Sequence, residues 1–420
     1  MSLTKIGYRQ RIADKLVGQS LRAFGAVSIE GPRWCGKTWT ALNHANSVSY
    51  LMDENTRTLA GISVGNVLTG DSPHAIDEWQ EIPAIWDAVR FAVDQGQGQG
   101  RFILTGSVIR PSEGIRHSGT GRIVRLRMRP MTLFESGDSG GDVSLGAILG
   151  GEDFSPFKTD PDIQKLVYIA CRGGWPASLK TDEKSQLSIP VGYLDNISQH
   201  DASGARGLSR DSQKFHYFLA SLARSNATIV KNTTIHNEVQ SAAGEFSSNT
   251  LATYLQLLRE LFMLEEIPGW AYGIRAKARI MSSPKRMFAD PSLAVAALGA
   301  TPEKLIENLA VFGGIFEGLC LRDLLVYAEA NDARVFHYRD DSALEVDAIV
   351  ETRGGDWGAF EIKLGDKATA KGVDSLLRLQ AKISREKGKP PACLAVLTGG
   401  GIAMKRDDGI LIVPITALRE

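Results

Sequence analysis

The stretch that decides the reading is Glu30–Ala41, "EGPRWCGKTWTA". Gly31-Pro32-Arg33-Trp34-Cys35-Gly36-Lys37-Thr38 satisfies the spacing GxxxxGK[ST]. It follows an apolar run, "GAVSIEG", and opens into the helix-compatible "TWTALNHA", which is the context a phosphate-binding loop requires. The glycines allow backbone N–H groups to converge on phosphate oxygens, and the helix that follows adds its positive end. In that reading the backbone from Gly31 through Trp39 cradles ATP. Lys37 reaches the β- and γ-phosphates, and Thr38 holds Mg²⁺.

Two further pieces lie in the order such a site needs. "AIDE", Ala75–Glu78, ends a strand-like run with consecutive carboxylates. Asp77 is placed to complete the Mg²⁺ shell with Thr38, and Glu78 to polarise an attacking water. The run "RFILTGS" ends in hydroxyls, and Thr105 or Ser107 is expected beside the γ-phosphate. Between Arg101 and Pro130 there are seven arginines and a single acid, Glu113. Arg122 or Arg110 is a candidate to stabilise transition-state charge, conceivably across a subunit boundary. Outward arginines on a solvated strand are the plainer alternative.

Composition sets the frame. The chain has 420 residues and zero net charge, with 43% hydrophobic and 23% charged residues. That is the profile of an ordinary globular protein large enough for several domains, with no global pull toward nucleic acid or membrane. The four cysteines are scattered without CxxC spacing, which argues against a disulfide framework or zinc ribbon. No signal-like apolar core or membrane-length apolar run is present, so a cytoplasmic protein is expected.

Alternating short strands and helical patterns over the first 135 residues predict a parallel α/β sheet. A Gly/Asp/Ser-rich stretch follows, then helical patterns, then two or three short helices and a possible strand that suggest a winged helix. From about Asp290 a long helix precedes a strand, a turn, a strand, a helix and two last strands. The expected domains are 1–135, a P-loop ATPase core; 136–212, a helical lid or linker; 213–285, winged-helix-like; and 286–420, α/β.

In this last region "EVDAIVETRGGDWGAFEIKLG" places Glu345-Val-Asp347 on one strand and Glu361-Ile-Lys363 on the next. Residues two apart on a strand share a face, so Glu361 and Lys363 point the same way and strand pairing can bring Asp347 alongside. Carboxylates and a lysine so grouped could hold Mg²⁺ and orient a water against a phosphodiester. The arrangement resembles the PD-(D/E)xK nuclease core. That resemblance implies a helix-borne glutamate beside the metal, and Glu317, which helical projection sets among Cys320, Leu321 and Leu324, is the candidate. Cleavage does not follow from such a fold alone.

"AYGIRAKARIMSSPKRMFA", Ala271–Ala289, contains Arg275, Lys277, Arg279, Lys285 and Arg286 and no acid. As a basic wing beside a recognition-type helix it would contact DNA phosphates by shape or backbone; a solvated hairpin is the plain alternative.

"GPRWCGKT", "AIDEWQEIP", "ILTGS" and "GTGRIVRLRMRPMTLFE", with "GGWP", "TLATYLQLLRELFMLEEIP", "MFADPSLAVAALG" and "GGIFEGLCLRDLL", resemble the prokaryotic AAA-type ATPases that carry a C-terminal DUF4143 domain. Trp34 and Cys35 depart from the smaller or basic residues usual in that loop. The resemblance implies ATP and Mg²⁺ as cofactors and self-association, as a hexamer or a similar oligomer. With the basic segment it leads to an expected ATPase that remodels or translocates DNA, such as four-way junctions, with possible strand cleavage. The rival reading is a nucleotide-switched scaffold whose C-terminal domain docks a partner.

Overall fold

The computed structural model describes residues 3–96, 98–108, 117–159, 162–201, 212–273 and 282–420. They form two compact units, one of residues 1–130 with 258–263 and the other of residues 131–257 with 264–420. No helix among the described residues is long and apolar enough to cross a membrane.

The first unit is built on five parallel strands: β1 (Ala26–Glu30), β2 (Ser47–Tyr50), β3 (His74–Asp77), β4 (Phe102–Gly106) and β5 (Ile123–Arg127). Their spatial order is β2-β3-β4-β1-β5. The central β1 and β4 are buried throughout, as their unbroken apolar runs require when both faces are covered. Helix α1 (Ile12–Ala23) leads into β1, and α2 (Lys37–His44), α3 (Glu54–Ile62) and α4 (Ala84–Gln95) supply crossovers. One core cluster sets Ile76, Leu104, Trp79, Trp86 and Val89 together, and a second gathers Val17, Val27, Ile29, Ala41 and Met128. Because all strands run the same way, the segments after β1, β3 and β4 emerge at one edge, where open α/β sheets bind ligands.

In the second unit's part of the chain the helices Ser212–Arg224, Asn232–Ala243 and Ser248–Glu260 run in succession, residues 258–260 of the last belonging to the first unit. The antiparallel pair β8 (Leu264–Ile267) and β9 (Lys285–Phe288) follows. It also holds a seven-stranded sheet of β7 (Phe157–Thr159), β10 (Ala333–Arg339), β11 (Glu345–Thr352), β12 (Trp357–Lys363), β13 (Cys393–Thr398), β14 (Gly401–Lys405) and β15 (Leu411–Pro414). The order is β10-β11-β12-β13-β15-β14-β7. The short β6 (Val143–Ser144) pairs with β16 (Leu418–Arg419) outside it. This is one strand more at each end than the sequence pattern suggested: β10 precedes the Glu345 strand, and three strands, not two, follow the helix Asp366–Arg385 before β16. Three helices, not one, lie between Asp290 and Ala330: Pro291–Ala297, Pro302–Glu307 and Leu309–Ala330. The Gly299-Ala300-Thr301 break, with Pro302 opening the next helix, divides them.

Three of the sequence's most distinctive motifs meet in a buried ion triad. Arg322 Nη1 donates to Asp290 Oδ2 at 2.9 Å, and its Nη2 donates to Asp323 Oδ1 at 2.7 Å. The Gly174 N–H donates to Asp290 Oδ2, and Trp175 Nε1 donates to Ser292 Oγ. Gly173 has φ 75°, and a Cβ there would lie 2.4 Å from Asp290 Oδ1. The "GGWP", "FADPS" and "LRD" motifs are therefore satisfied by one another inside the unit, as buried charges must be.

Candidate functional site

The phosphate loop sits between β1 and α2. Gly36, the residue before α2, has φ 107°, a conformation open to glycine and costly for side-chain-bearing residues. A Cβ on Gly31 would lie 2.1 Å from the Met128 carbonyl oxygen, so the loop can leave the sheet only with glycine there. Cys35 is fully buried with its Sγ 3.6 Å from the same carbonyl, and its own carbonyl accepts from Arg11 Nη1 at 2.7 Å. Cys35 thus anchors the loop to the core and offers phosphate only its backbone. Trp34 stands 61% exposed at φ 65°, unusual for a bulky residue. Arg33 is also exposed, and Trp39 lies half-buried in α2.

Lys37 is buried and donates from Nζ to the Pro32 carbonyl at 2.8 Å, so its ammonium spans the loop. At the end of β3 one oxygen, Asp77 Oδ1, accepts from both Thr38 Oγ1 at 2.7 Å and Thr105 Oγ1 at 2.6 Å. Burial raises the Asp77 carboxyl above its ordinary range, against the two hydroxyls that lower it. The next residue, Glu78, is left-handed at φ 57°. That twist reverses the chain so that its N–H donates to Thr105 Oγ1 at 3.1 Å while its carboxylate turns to Ser107 Oγ at 2.8 Å. Gln80 Nε2 donates to the other Glu78 oxygen. Gln80 was not foreseen from the sequence, although it lies only two residues beyond Glu78. Strand order thus brings together Lys37, Thr38, Asp77, Glu78, Thr105 and Ser107 from three adjacent strand ends.

The donor set suits Mg²⁺: a hydroxyl and a carboxylate already share one point, and both are hard oxygens. Such an ion commonly takes one or two protein oxygens and keeps water and phosphate for the rest.

Arg122 is not part of this arrangement. It precedes β5 at the opposite end of the strands, where its carbonyl accepts from the Ala26 N–H and its Nε donates to Asp94 Oδ1 at 2.7 Å. The strands are parallel, so a residue at the start of β5 faces away from a loop at the end of β1. Arg127, aligned with Glu30, is at the loop end, with its guanidinium 5.1 Å from the centre of the Phe262 ring. Arg110 lies outside the described residues.

The second constellation forms where β9, β11, β12 and the helix Leu309–Ala330 meet. Lys363 Nζ donates to Asp347 Oδ2 at 2.7 Å and is ion-paired with Glu361. The Ile362 N–H also donates to Asp347 Oδ2, at 2.8 Å. Glu317 accepts from Lys285 Nζ at 2.6 Å, and that ammonium lies 3.7 Å from Asp347 Oδ1. Burial pushes the Glu317 carboxyl up to about 7 and the Glu361 carboxyl up to about 8. Asp347 is held below its ordinary value: burial opposes this, but the Lys285 and Lys363 ammonium groups outweigh it. Among the described residues no group of three or more His, Cys, Asp or Glu is placed to hold a metal ion.

The fold thus gathers Glu317, Asp347, Glu361 and Lys363 and adds Lys285, which the sequence placed on a basic wing. That placement is corrected. Lys285 is 1% exposed and Arg286 is 7% exposed, with Arg286 Nε donating to Glu266 Oε1 at 2.9 Å and Nη1 to Asn232 Oδ1 at 2.6 Å. The β8–β9 ladder turns both residues inward against acceptors. Arg275, Lys277 and Arg279 lie outside the described residues.

Comparison with known proteins divides the chain in three. Residues 23–136 match an AAA domain family, residues 163–304 a domain of unknown function (DUF8612), and residues 312–418 the domain of unknown function DUF4143. The first segment is therefore similar to AAA-type, ATPase-like domains, and it lies on the same chain as a segment similar to DUF4143. An uncharacterized protein of Mycobacterium tuberculosis is 22% identical over 360 residues, covering 84% of this chain and 74% of that protein. An uncharacterized protein of Haemophilus influenzae is 26% identical over 140 residues, 33% of this chain and 34% of that one. Among solved structures, a Walker-type ATPase of Pyrococcus abyssi has a TM-score of 0.42 at 12% identity, covering 70% of this chain and 97% of that chain. That likeness is too distant to carry an argument.

Proposed function

We propose that the first unit binds ATP with Mg²⁺ and hydrolyses it. The observation that carries this is the single Asp77 oxygen shared by Thr38 and Thr105, with Glu78 turned by its left-handed backbone toward Ser107. Held by Thr38 and Asp77, Mg²⁺ would supply neutralisation of the phosphate charge. The rest is done by the chain. The loop N–H groups and the α2 N-terminus hold the phosphates, and Lys37 exchanges the Pro32 carbonyl for a phosphate oxygen. Thr38 and Asp77 hold the metal side. Glu78 accepts a proton from the attacking water, and Ser107 and Gln80 fix its orientation before it does so. A steady-state phosphate-release assay tests this: Glu78→Gln slows turnover by about 10²- to 10⁴-fold while nucleotide binding persists, and turnover retained in Lys37→Ala refutes the assignment.

The target of that turnover is read from the second unit. We infer DNA backbone, on the winged-helix order of three helices and a β8–β9 ladder. One observation favours it: an open hollow at the start of the helix Asn232–Ala243, lined by Val230, Lys231, Asn232, Thr233, Ser283 and Arg286, in which Lys231 is the exposed base while Arg286 stays tied to Glu266 and Asn232. Basic and hydroxyl side chains at a helix N-terminus suit a phosphate. A homo-oligomer, such as a hexamer, would multiply this weak contact. DNA that neither binds in low salt nor changes the rate of hydrolysis removes this reading and leaves a nucleotide-switched scaffold. No strand cleavage is assigned to the chain, because the acidic cluster already carries two ammonium groups.

A further inference from the structure

The acidic cluster presents oxygens of the kind that divalent cations take, and a lysine ammonium lies among them. Glu317 comes from a helix, Asp347 from β11 and Glu361 from β12, and their carboxylates converge at the sheet surface. Between Glu317 and Asp347 lies Lys285 Nζ. It is 2.6 Å from Glu317 Oε1, 3.2 Å from the Asp347 backbone carbonyl and 3.7 Å from Asp347 Oδ1. Carboxylate and backbone carbonyl oxygens are the donors a hard divalent ion selects. An ammonium with three N–H groups donates to Glu317 Oε1 and to the Asp347 carbonyl and stays within ion-pair distance of Asp347 Oδ1.

Lys285 is built into this position. It begins β9, where its backbone pairs with Ile267 of β8. The next residue, Arg286, is tied to Glu266 and Asn232. The lysine side chain is 1% exposed, so its charge is out of water and depends on these oxygens.

We propose that Lys285 is a built-in cation that closes this cluster to divalent metal. The charge count supports it. Glu317 and Asp347 face Lys285, and Asp347 and Glu361 face Lys363, which leaves one net negative charge with all five groups ionised and none where burial keeps one of the two glutamates protonated. A divalent ion added to that set would leave a net positive charge in a buried place. Without Lys285 two negative charges remain, and one divalent ion cancels them. The native cluster therefore joins β9, the helix Leu309–Ala330 and the sheet as a permanent clasp. The same ligands become a metal site once the ammonium is removed. This inference does not depend on nucleotide hydrolysis.

The test is Mn²⁺ binding to the full-length, nucleotide-free protein, followed by the paramagnetic resonance signal of the free ion. Wild type and Glu317→Gln should bind equal amounts of Mn²⁺, because the native cluster holds none. Lys285→Met should bind one more equivalent, and Lys285→Met with Asp347→Asn should lose it. Folding of each variant is checked by circular dichroism. Mn²⁺ bound by wild type and lost in Glu317→Gln overturns the proposal. So does a folded Lys285→Met that gains no equivalent. If Lys285→Met does not fold, the comparison of wild type with Glu317→Gln decides the matter alone.

Discussion

The two constellations use the same parts to opposite ends. Each places a buried lysine and carboxylates where strands end or meet a helix. At the phosphate loop the Lys37 ammonium rests on a backbone carbonyl, and Asp77 is held only by hydroxyls. At the second site both oxygens of Asp347 face ammonium groups. Neutral partners are exchanged cheaply for phosphate and metal, whereas charge-paired ones are not. On the reading proposed above, the first site is the one left electrostatically open to ligands, and the second is the one closed by its own charges.

Removing single charges should separate the two most sharply. The largest effect is kinetic: Glu78→Gln should slow ATP hydrolysis by about 10²- to 10⁴-fold, the usual worth of a positioned general base, in a phosphate-release assay. Asp347→Ala should act on stability instead. It removes the carboxylate that Lys285 and Lys363 share and leaves them only Glu317 and Glu361, a loss of about 3–5 kcal/mol in denaturant unfolding monitored on the second unit. Asp77→Ala should cost only about 1–2 kcal/mol, because Thr38 and Thr105 can bond elsewhere. Equal losses in the two variants would erase the contrast.

A smaller effect is expected with pH. The Glu317 and Glu361 carboxyls, ordinarily near 4.5, are raised by burial to about 7 and about 8. Between 4.5 and those values the folded chain keeps protons that the unfolded chain has released. Their contribution to stability is therefore fully present below about 4.5 and declines as pH rises toward 8. Asp347, held low, works in the opposite sense, losing its contribution as pH falls below the ordinary aspartate range. Glu361→Gln should flatten the decline between pH 5 and 8 in melting curves. The smallest effect belongs to Lys231→Ala, which should weaken DNA binding uniformly across sequences and lower its salt dependence by about one unit, read by anisotropy at several salt concentrations.

Much of the first unit was legible because its signals are local. Glycine at Gly31 and Gly36, two carboxylates closing an apolar run and hydroxyls closing another each follow from backbone or strand chemistry within a few residues. Gln80 was not legible as a partner of Glu78, since only the left-handed turn at Glu78 brings them together. In the second unit the period-two spacing of Glu361 and Lys363 revealed their shared face, and helical projection placed Glu317 on an apolar side. Lys285 was misplaced for a physical reason. A lysine among basic neighbours is ordinarily solvated, and nothing in "SPKRMF" distinguishes a buried one.

The sequence by itself determined the loop, the strands that feed it, the identities of the acids and bases and the alternation that pairs them. These are set by short-range geometry: the glycine conformations, the strand period and the helix period. The tertiary structure alone decided that Arg122 stands at the far end of its sheet. It alone decided that Asp77 is shared by two threonines from different elements, and that Lys285 leaves the surface to lie between two carboxylates. Those outcomes depend on which buried charge finds which partner, a balance of desolvation against pairing settled between residues as far apart in the chain as Lys285 and Asp347.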